Sequence, residues 1–360
     1  MAETQLPRDL PHPLRTQKSP HRAAVQSIHS LDAFVFTVPD LDEAARFYEA
    51  FGLEPKREGD RLDLYTVGHP HAWGSLYQAP AGGVKQLQYL RFACFAEDFD
   101  AIAARIVRLG VPRCAPHPLA HESDNDSSKG HSLWVVHPDG FPVQIVVAAK
   151  SAPDAGSAPV VAPRPPVGMG ASPNRARIPK VHPRRLSHIL LFSAKVPEAV
   201  RFFEDALGLR VTDRSGDLIV FMHGVHGSDH HLVAMARSNG PGLHHLSWDV
   251  ANLDEVGRGM EQMYAAGHVR GWGVGRHVLG SNYFNYVRDP WGSYSEYSCD
   301  MDFVPGDFDW PSADHPPEDS FYAWGPKVPE DFVTNFEVQA EVQAEIPAQA
   351  QAQAQTPAKG

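Results

Sequence analysis

The chain has 360 residues, of which 42% are hydrophobic, and a formal net charge of −11, enough apolar material for two domains of ordinary size. The acidic balance argues against nucleic acid or an anionic membrane as a general partner, since both are won by positive surface that displaces counterions. No apolar run is long enough to span a membrane, the start is polar and proline-bearing, and the cysteines Cys94, Cys114 and Cys299 are scattered without a CxxC pair. The expectation is therefore a cytoplasmic protein in a reducing compartment, with neither a disulfide framework nor a thiolate zinc site.

In chain order, an N-terminal extension (1–26) precedes LDAFVFTVPDLDEAARFYEAFGLEP (Leu31 to Pro55), which reads as an apolar strand, an amphipathic helix stopped by the glycine of FGL, and a second strand. GDRLDLYT (Gly59 to Thr66) continues as strand, and LQYLRFACFAEDFDAIAARIVRLGV (Leu87 to Val111) as strand then helix. LWVVHPDGFPVQIV closes this first half, 27–150, with two strands about a tight turn. Residues 151–180 are rich in Pro, Ala and Gly without periodicity, which marks a connector.

The second half, 181–332, repeats the first. LSHILLFSAKVPEAVRFFEDALGLRV (Leu186 to Val211), GDLIVFMH (Gly216 to His223), LHHLSWDVANLDEVGRGMEQMYAAGH (Leu243 to His268) and FNYVRDPWGSYSEYS each match a first-half segment. The chain thus reads as four similar βαβ-like modules of about 50 residues in two α+β domains. A low-complexity Ala/Gln tail, 333–360, ends the sequence.

Comparing equivalent positions isolates a candidate site. His188, His245 and Glu296 fall on three strands of the second half, where the first half has Ala33, Tyr89 and Gln144. Two imidazoles and one carboxylate suit a facial Fe(II) site that leaves coordination positions open, although a zinc hydrolase can use the same ligand types. Many of the 20 histidines lie between His182 and His277, a skew that places the chemistry in this half. Taken alone, a strand histidine is more often a hydrogen-bonded core residue.

The segment GVGRHVLGSNYFNYVRDPWGSYSE (Gly273 to Glu296) narrows the choice. It resembles the signature of the type I extradiol ring-cleavage dioxygenases of the vicinal oxygen chelate superfamily, in which His, Tyr and Glu stand at the spacings of His277, Tyr286 and Glu296. HLVAMARSNGPGLHHLSWDV and RRLSHILLF resemble the family segments that supply the other two ligands. The resemblance implies two tandem domains, each of two βαβββ modules forming a half-open barrel, and a non-haem Fe(II) held by His188, His245 and Glu296, with Mn(II) suiting the same donors. The implied activity is O2-dependent cleavage of a catechol-type substrate, with His231 as acid/base residue and His277 and Tyr286 on the substrate hydroxyl. A homo-oligomer is also implied.

His230 immediately precedes His231 and is expected on the opposite strand face; the 14-residue step to His245 favours His231. His244 is expected to pack on the reverse face, and His223 and His226 to lie at the surface. SFYAWGPK (Ser320 to Lys327) resembles a lid segment of the family, and Ser281 and Asn282 are expected to face the substrate. The competing readings are a glyoxalase-like or other metal-dependent enzyme of the superfamily, and a non-catalytic binder of aromatic compounds.

Overall fold

The computed structural model describes residues 25–120, 132–157, 165–172, 174–306 and 308–338. The extension before residue 25, part of the connector and the tail beyond residue 338 lie outside the described residues. The first half runs β1 (Ile28–Val38), α1 (Leu41–Phe51), β2 (Glu54–Glu58), β3 (Arg61–Tyr65), β4 (Gly74–Gln78), β5 (Gln86–Cys94), α2 (Ala96–Arg108), β6 (Ser132–Val136) and β7 (Pro142–Val147). The second runs β8 (Arg185–Ser193), α3 (Val196–Arg201), β9 (Arg210–Ser215), β10 (Ile219–His223), β11 (Ser228–Asp229), β12 (Val233–Arg237), β13 (Gly242–Asp249), α4 (Leu253–Ala265), β14 (Gly271–His277), β15 (Tyr283–Arg288) and β16 (Tyr294–Cys299). Short strands β17 (Phe303–Val304), β18 (Ala313–Asp314) and β19 (Tyr322–Trp324) follow.

The sheets repeat as the sequence does. Strand order is β2-β3-β4-β1-β5-β7-β6 in one and β18-β9-β10-β12-β8-β13-β16-β15-β14-β19 in the other. In each, the first strand of the half pairs parallel with the last strand of its own module and antiparallel with the first strand of the next. Among the described residues neither sheet closes on itself, which is the open-barrel form that the family resemblance implies.

Local chemistry explains the helices. The Asp40 carboxylate accepts from the Asp42 and Glu43 amides at 2.8 and 2.9 Å, and Gly52, at φ 99°, ends α1 in the left-handed conformation. Leu41, Ala44, Phe47, Tyr48 and Phe51 form its buried stripe. The second-half counterpart departs from the expected single α-helix, passing at Phe202–Ala206 into a π-helical turn before Gly208. From the shared arginine to the terminating glycine the second half is one residue longer, Arg201 to Gly208 against Arg46 to Gly52, and the wider turn absorbs the extra residue.

That core is shared. Phe51 stacks on Tyr297 at 3.9 Å, Phe92 meets Phe203 at 5.6 Å and Phe34 meets Trp248 at 6.4 Å, joining the halves through one apolar interior. Hydrogen bonds also cross between the halves: Ile28 N–H donates to Leu207 O at 3.0 Å, and the Tyr297 hydroxyl to Phe51 O at 2.8 Å. With Ile189, Leu191, Leu246, Trp248 and Tyr297 turned into this core, strand alternation sends His188, Leu190 and Glu296 to the opposite, concave face of the second sheet.

Candidate metal centre

His188 stands on β8, His245 on β13 and Glu296 on β16, three strands adjacent in the sheet. Their side chains converge: His188 Nε2 is 3.1 Å from His245 Nε2, and Glu296 Oε2 lies 3.4 and 3.6 Å from these two nitrogens. Bonds of about 2.1 Å to one octahedral ion put neighbouring donors about 3 Å apart, so the set is near ligating spacing.

The hydrogen bonds behind each imidazole fix which ring nitrogen faces the centre. The Ser187 hydroxyl donates to Asp229 Oδ2 at 2.8 Å, so its contact with His188 Nδ1 at 3.2 Å is one in which the imidazole N–H donates. Asp229 is itself held by Arg185 at 2.7 and 3.1 Å. His244 Nε2–H donates to Phe332 O at 2.9 Å, leaving His244 Nδ1 to accept from His245 Nδ1–H at 2.7 Å. Both ligand-facing Nε2 atoms therefore carry lone pairs. Glu296 Oε1 accepts from Asn282 Nδ2 at 3.3 Å, while its Oε2 is buried with no hydrogen-bond partner among the described residues. Two lone pairs and an unpaired carboxylate oxygen directed at one point are costly without a cation, and fit one well.

Burial drives His245 and His231 well below the ordinary histidine range, reinforced by the neighbouring histidines, so both are neutral imidazoles. Burial alone would raise Glu296, but the imidazoles of His188 and His277 beside it hold it below the usual carboxylate range. Tyr286 is pushed far up by burial and then by the Glu296 charge.

These groups form the floor of a cavity of about 330 Å³. His231, His277 and Tyr286 line it with the three clustered residues, so all six sequence candidates meet at one place. The His231 ring lies 4.0 Å from that of His188. His277 Nδ1–H donates to Phe321 O at 2.8 Å, which leaves its Nε2 to accept from the Tyr286 hydroxyl at 2.8 Å. His230 turns away, with Nε2 2.9 Å from Asp213 Oδ2. The walls are apolar, built by Leu190, Phe192, Phe221, Leu279, Phe321 and Phe332.

Several sequence expectations need correction. His244 is on the cavity face, not the reverse one: the β8–β13 register shifts between Leu243 and His245, and this bulge absorbs one residue so that both histidines point the same way. His223 and His226 are buried rather than on the surface; His226 Nε2 meets Asp98 Oδ2 of the first half at 2.9 Å, and His223 Nδ1 meets Thr212 Oγ1 at 2.9 Å. Asn282 lines the cavity, whereas the Ser281 hydroxyl donates to Asp302 Oδ2 at 2.7 Å. The wall residues Phe192, Phe221 and Phe332 were not singled out from the sequence; alternation along β8 was the available signal for the first. Val333 also lines the cavity and Asn335 and Glu337 are buried, although the sequence assigns them to the tail.

The family model for the glyoxalase/bleomycin resistance protein/dioxygenase superfamily matches residues 30–116 and 185–297. The chain belongs to that superfamily. Metapyrocatechase 2 of Cupriavidus necator is 44% identical over 311 residues, covering 86% of this chain and 93% of the relative, which puts the chain among the extradiol ring-cleavage dioxygenases of the superfamily. A manganese-dependent 2,3-dihydroxybiphenyl 1,2-dioxygenase of Geobacillus genomosp. 3 is 30% identical over 88 residues, 24% of this chain and 28% of that one. Among solved structures, homoprotocatechuate 2,3-dioxygenase of Arthrobacter globiformis superposes with a TM-score of 0.66 at 21% identity, covering 86% of this chain and 92% of that one. The Mn(II)-bound glyoxalase of Novosphingobium aromaticivorans gives 0.64 at 24% identity, covering 86% and 97%. At these identities the structural likenesses speak to the fold. Extradiol dioxygenases work with a catalytic metal, and the donor set described above suits one.

Proposed function

We propose that the chain opens the ring of a catechol-type diol beside its hydroxyl-bearing carbons, with O2 and a non-haem iron(II) held by His188, His245 and Glu296. The observation that carries this reading is the junction of two imidazole lone pairs and an unpaired buried carboxylate oxygen at the floor of an apolar cavity. In the net reaction one ring carbon–carbon bond breaks and both atoms of O2 enter the product, as a carboxylate and a neighbouring aldehyde or ketone. When bound, iron(II) supplies a Lewis-acidic template for diol and O2 and a path for electrons between them. Manganese(II) suits the same donors.

The chain's own residues supply the rest. His277 Nε2 and the Tyr286 hydroxyl, already paired, receive the proton of a substrate hydroxyl entering beside Glu296. His231, neutral and facing the cavity, holds or delivers a proton on the side of His188. The apolar walls exclude bulk water and strengthen these polar contacts. They also favour a catechol whose other ring positions are bare or carry apolar groups; the cavity's one cationic lining residue, Arg237, is exposed. The half spanning 181–332 thus carries the chemistry, and the half spanning 27–150, with Ala33, Tyr89 and Gln144 at the equivalent positions, supports it.

The test is anaerobic loading with Fe(II), and separately Mn(II), followed by a catechol panel with oxygen uptake and yellow ring-opened product recorded. Turnover of unsubstituted and alkyl or aryl catechols above carboxylate-bearing ones is expected. Metal-loaded protein that consumes no O2 with any catechol overturns the proposal.

A further inference from the structure

We propose that His244 is a positioning residue for His245, and that through it the docking of the C-terminal strap, Phe321 to Val338, is coupled to metal binding. This rests on reading His245 as a ligand.

The direction of the hydrogen-bond chain is fixed from the strap end. The Phe332 carbonyl can only accept, so His244 Nε2 must carry the proton that spans the 2.9 Å contact. The neutral ring then has only a lone pair at Nδ1. At 2.7 Å, that lone pair obliges His245 to carry its own proton on Nδ1. His245 Nε2 is thereby left free to face Glu296 Oε2, 3.6 Å away. If the Phe332 carbonyl withdraws, His244 is released to its other tautomer, and two N–H groups would oppose one another across the same gap. His245 must then rotate or move its proton to the nitrogen a metal needs. A ligand imidazole is held and made more basic by the acceptor behind it; here that acceptor is a second imidazole whose own state is set by the strap.

The strap is built to hold this carbonyl in place. Glu337 Oε1 accepts from the Leu243 amide at 2.8 Å, and Asn335 Nδ2 donates to Gly240 O and Pro241 O at 3.0 and 3.1 Å. These bonds grip the segment that leads into the Leu243–His245 bulge. Gly242 has no side chain because a Cβ there would lie 2.6 Å from Asn335 Oδ1. The Phe332 ring packs 4.8 Å from His244 and 5.0 Å from both Tyr286 and Tyr294. His188, by contrast, is braced by Ser187, Asp229 and Arg185, all outside the strap. Of the three proposed ligands, His245 alone is therefore tied by a hydrogen-bond chain to the strap among the described residues, while His277, outside that trio, meets it through Phe321 O. By linkage, whatever the strap contributes to metal affinity the metal returns to strap docking.

The experiment uses the full chain with Mn(II) as an air-stable probe, titrated against a chelator. His244→Phe keeps a ring but removes both bonds, and should weaken Mn(II) binding about 10- to 100-fold. His244→Asn, whose side-chain oxygen sits near the position of Nδ1, should recover most of that loss. Hydrogen exchange on the wild-type chain gives a second reading: saturating Mn(II) should slow exchange at the amides of residues 332–338 and at Leu243. Mn(II) affinity in His244→Phe within threefold of wild type, or strap exchange indifferent to Mn(II), overturns the coupling; if His244→Phe does not fold, the exchange result decides alone. Glu296→Ala separates the ligand assignment from the role of His244. Wild-type Mn(II) affinity in that variant sinks the ligand assignment itself, whereas lost binding there with an unaffected His244→Phe sinks only the role of His244.

Discussion

Two imidazole lone pairs 3.1 Å apart beside a buried carboxylate oxygen without a partner are an unfavourable arrangement that a divalent cation resolves. Glu296→Gln replaces the anion with an amide of similar shape, so the chain should fold but fail to retain Fe(II) through gel filtration, and His245→Ala should do the same. Metal content equal to wild type in both would mean that the ion sits elsewhere. His231 differs in that no proton accounting requires it as a ligand. His231→Phe should keep its metal while kcat falls about 10²- to 10⁴-fold, the range for a lost general acid or base; an unchanged kcat discards the role. These residues were legible because the chain contains its own control, a second copy with Ala33, Tyr89 and Gln144 in their places. His244 was not legible. Its face follows from a bulge, and a one-residue insertion in the ladder leaves no mark on an apolar–polar pattern already interrupted by two histidines. His226 was hidden for another reason: its partner, Asp98, is 128 residues away in the other half.

At the scale of elements, the repeated strand–helix–strand unit was readable from periodicity and from the glycines that end each helix, but the meeting of the two copies was not. Gly52 shows why. Its positive φ of 99° could be anticipated from the helix stop, yet a Cβ there would also lie 2.1 Å from Val181 O, at the entrance to β8 of the other half. That second constraint arises only in three dimensions. Gly59, at φ 62°, would place a Cβ in open space, with nothing within 4 Å among the described residues, and serves as a control. Gly59→Ala should cost about 1–2 kcal/mol for the left-handed backbone alone. Gly52→Ala should cost more, about 3 kcal/mol or above, because the backbone of the neighbouring half must also move. Thermal unfolding of the two variants makes the comparison, and equal losses would show that the Val181 contact yields without cost.

For the whole molecule, the consequence of one shared core is that stability and the joining of the halves are the same quantity. The His137 ring stacks on Phe141 at 4.2 Å and touches Phe202 and Phe203 of the second half at 5.1 and 5.5 Å. The same turn clasps the start of α3, with the Ser193 hydroxyl and Ala194 amide donating to Asp139 at 2.5 and 3.1 Å. Burial, aided by the Lys195 charge, pushes His137 down to about 3; burial likewise lowers His29, beside Phe95 at the other seam, to about 3. A folded-state value below the unfolded one, about 6.5, means that folding excludes a proton the unfolded chain binds. The contribution of each is intact above about pH 6.5 and is lost progressively as pH falls from there toward 3. From pH 7 to 5 each histidine should remove about 2 kcal/mol of stability. Urea unfolding at the two pH values checks this against His137→Phe, which loses the bond from the Asp139 amide to Nδ1 at every pH but has no proton to bind. The variant should start lower at pH 7 and fall by about 2 kcal/mol less on acidification. A slope identical to wild type would show that this seam does not report pH, however deeply the ring is buried.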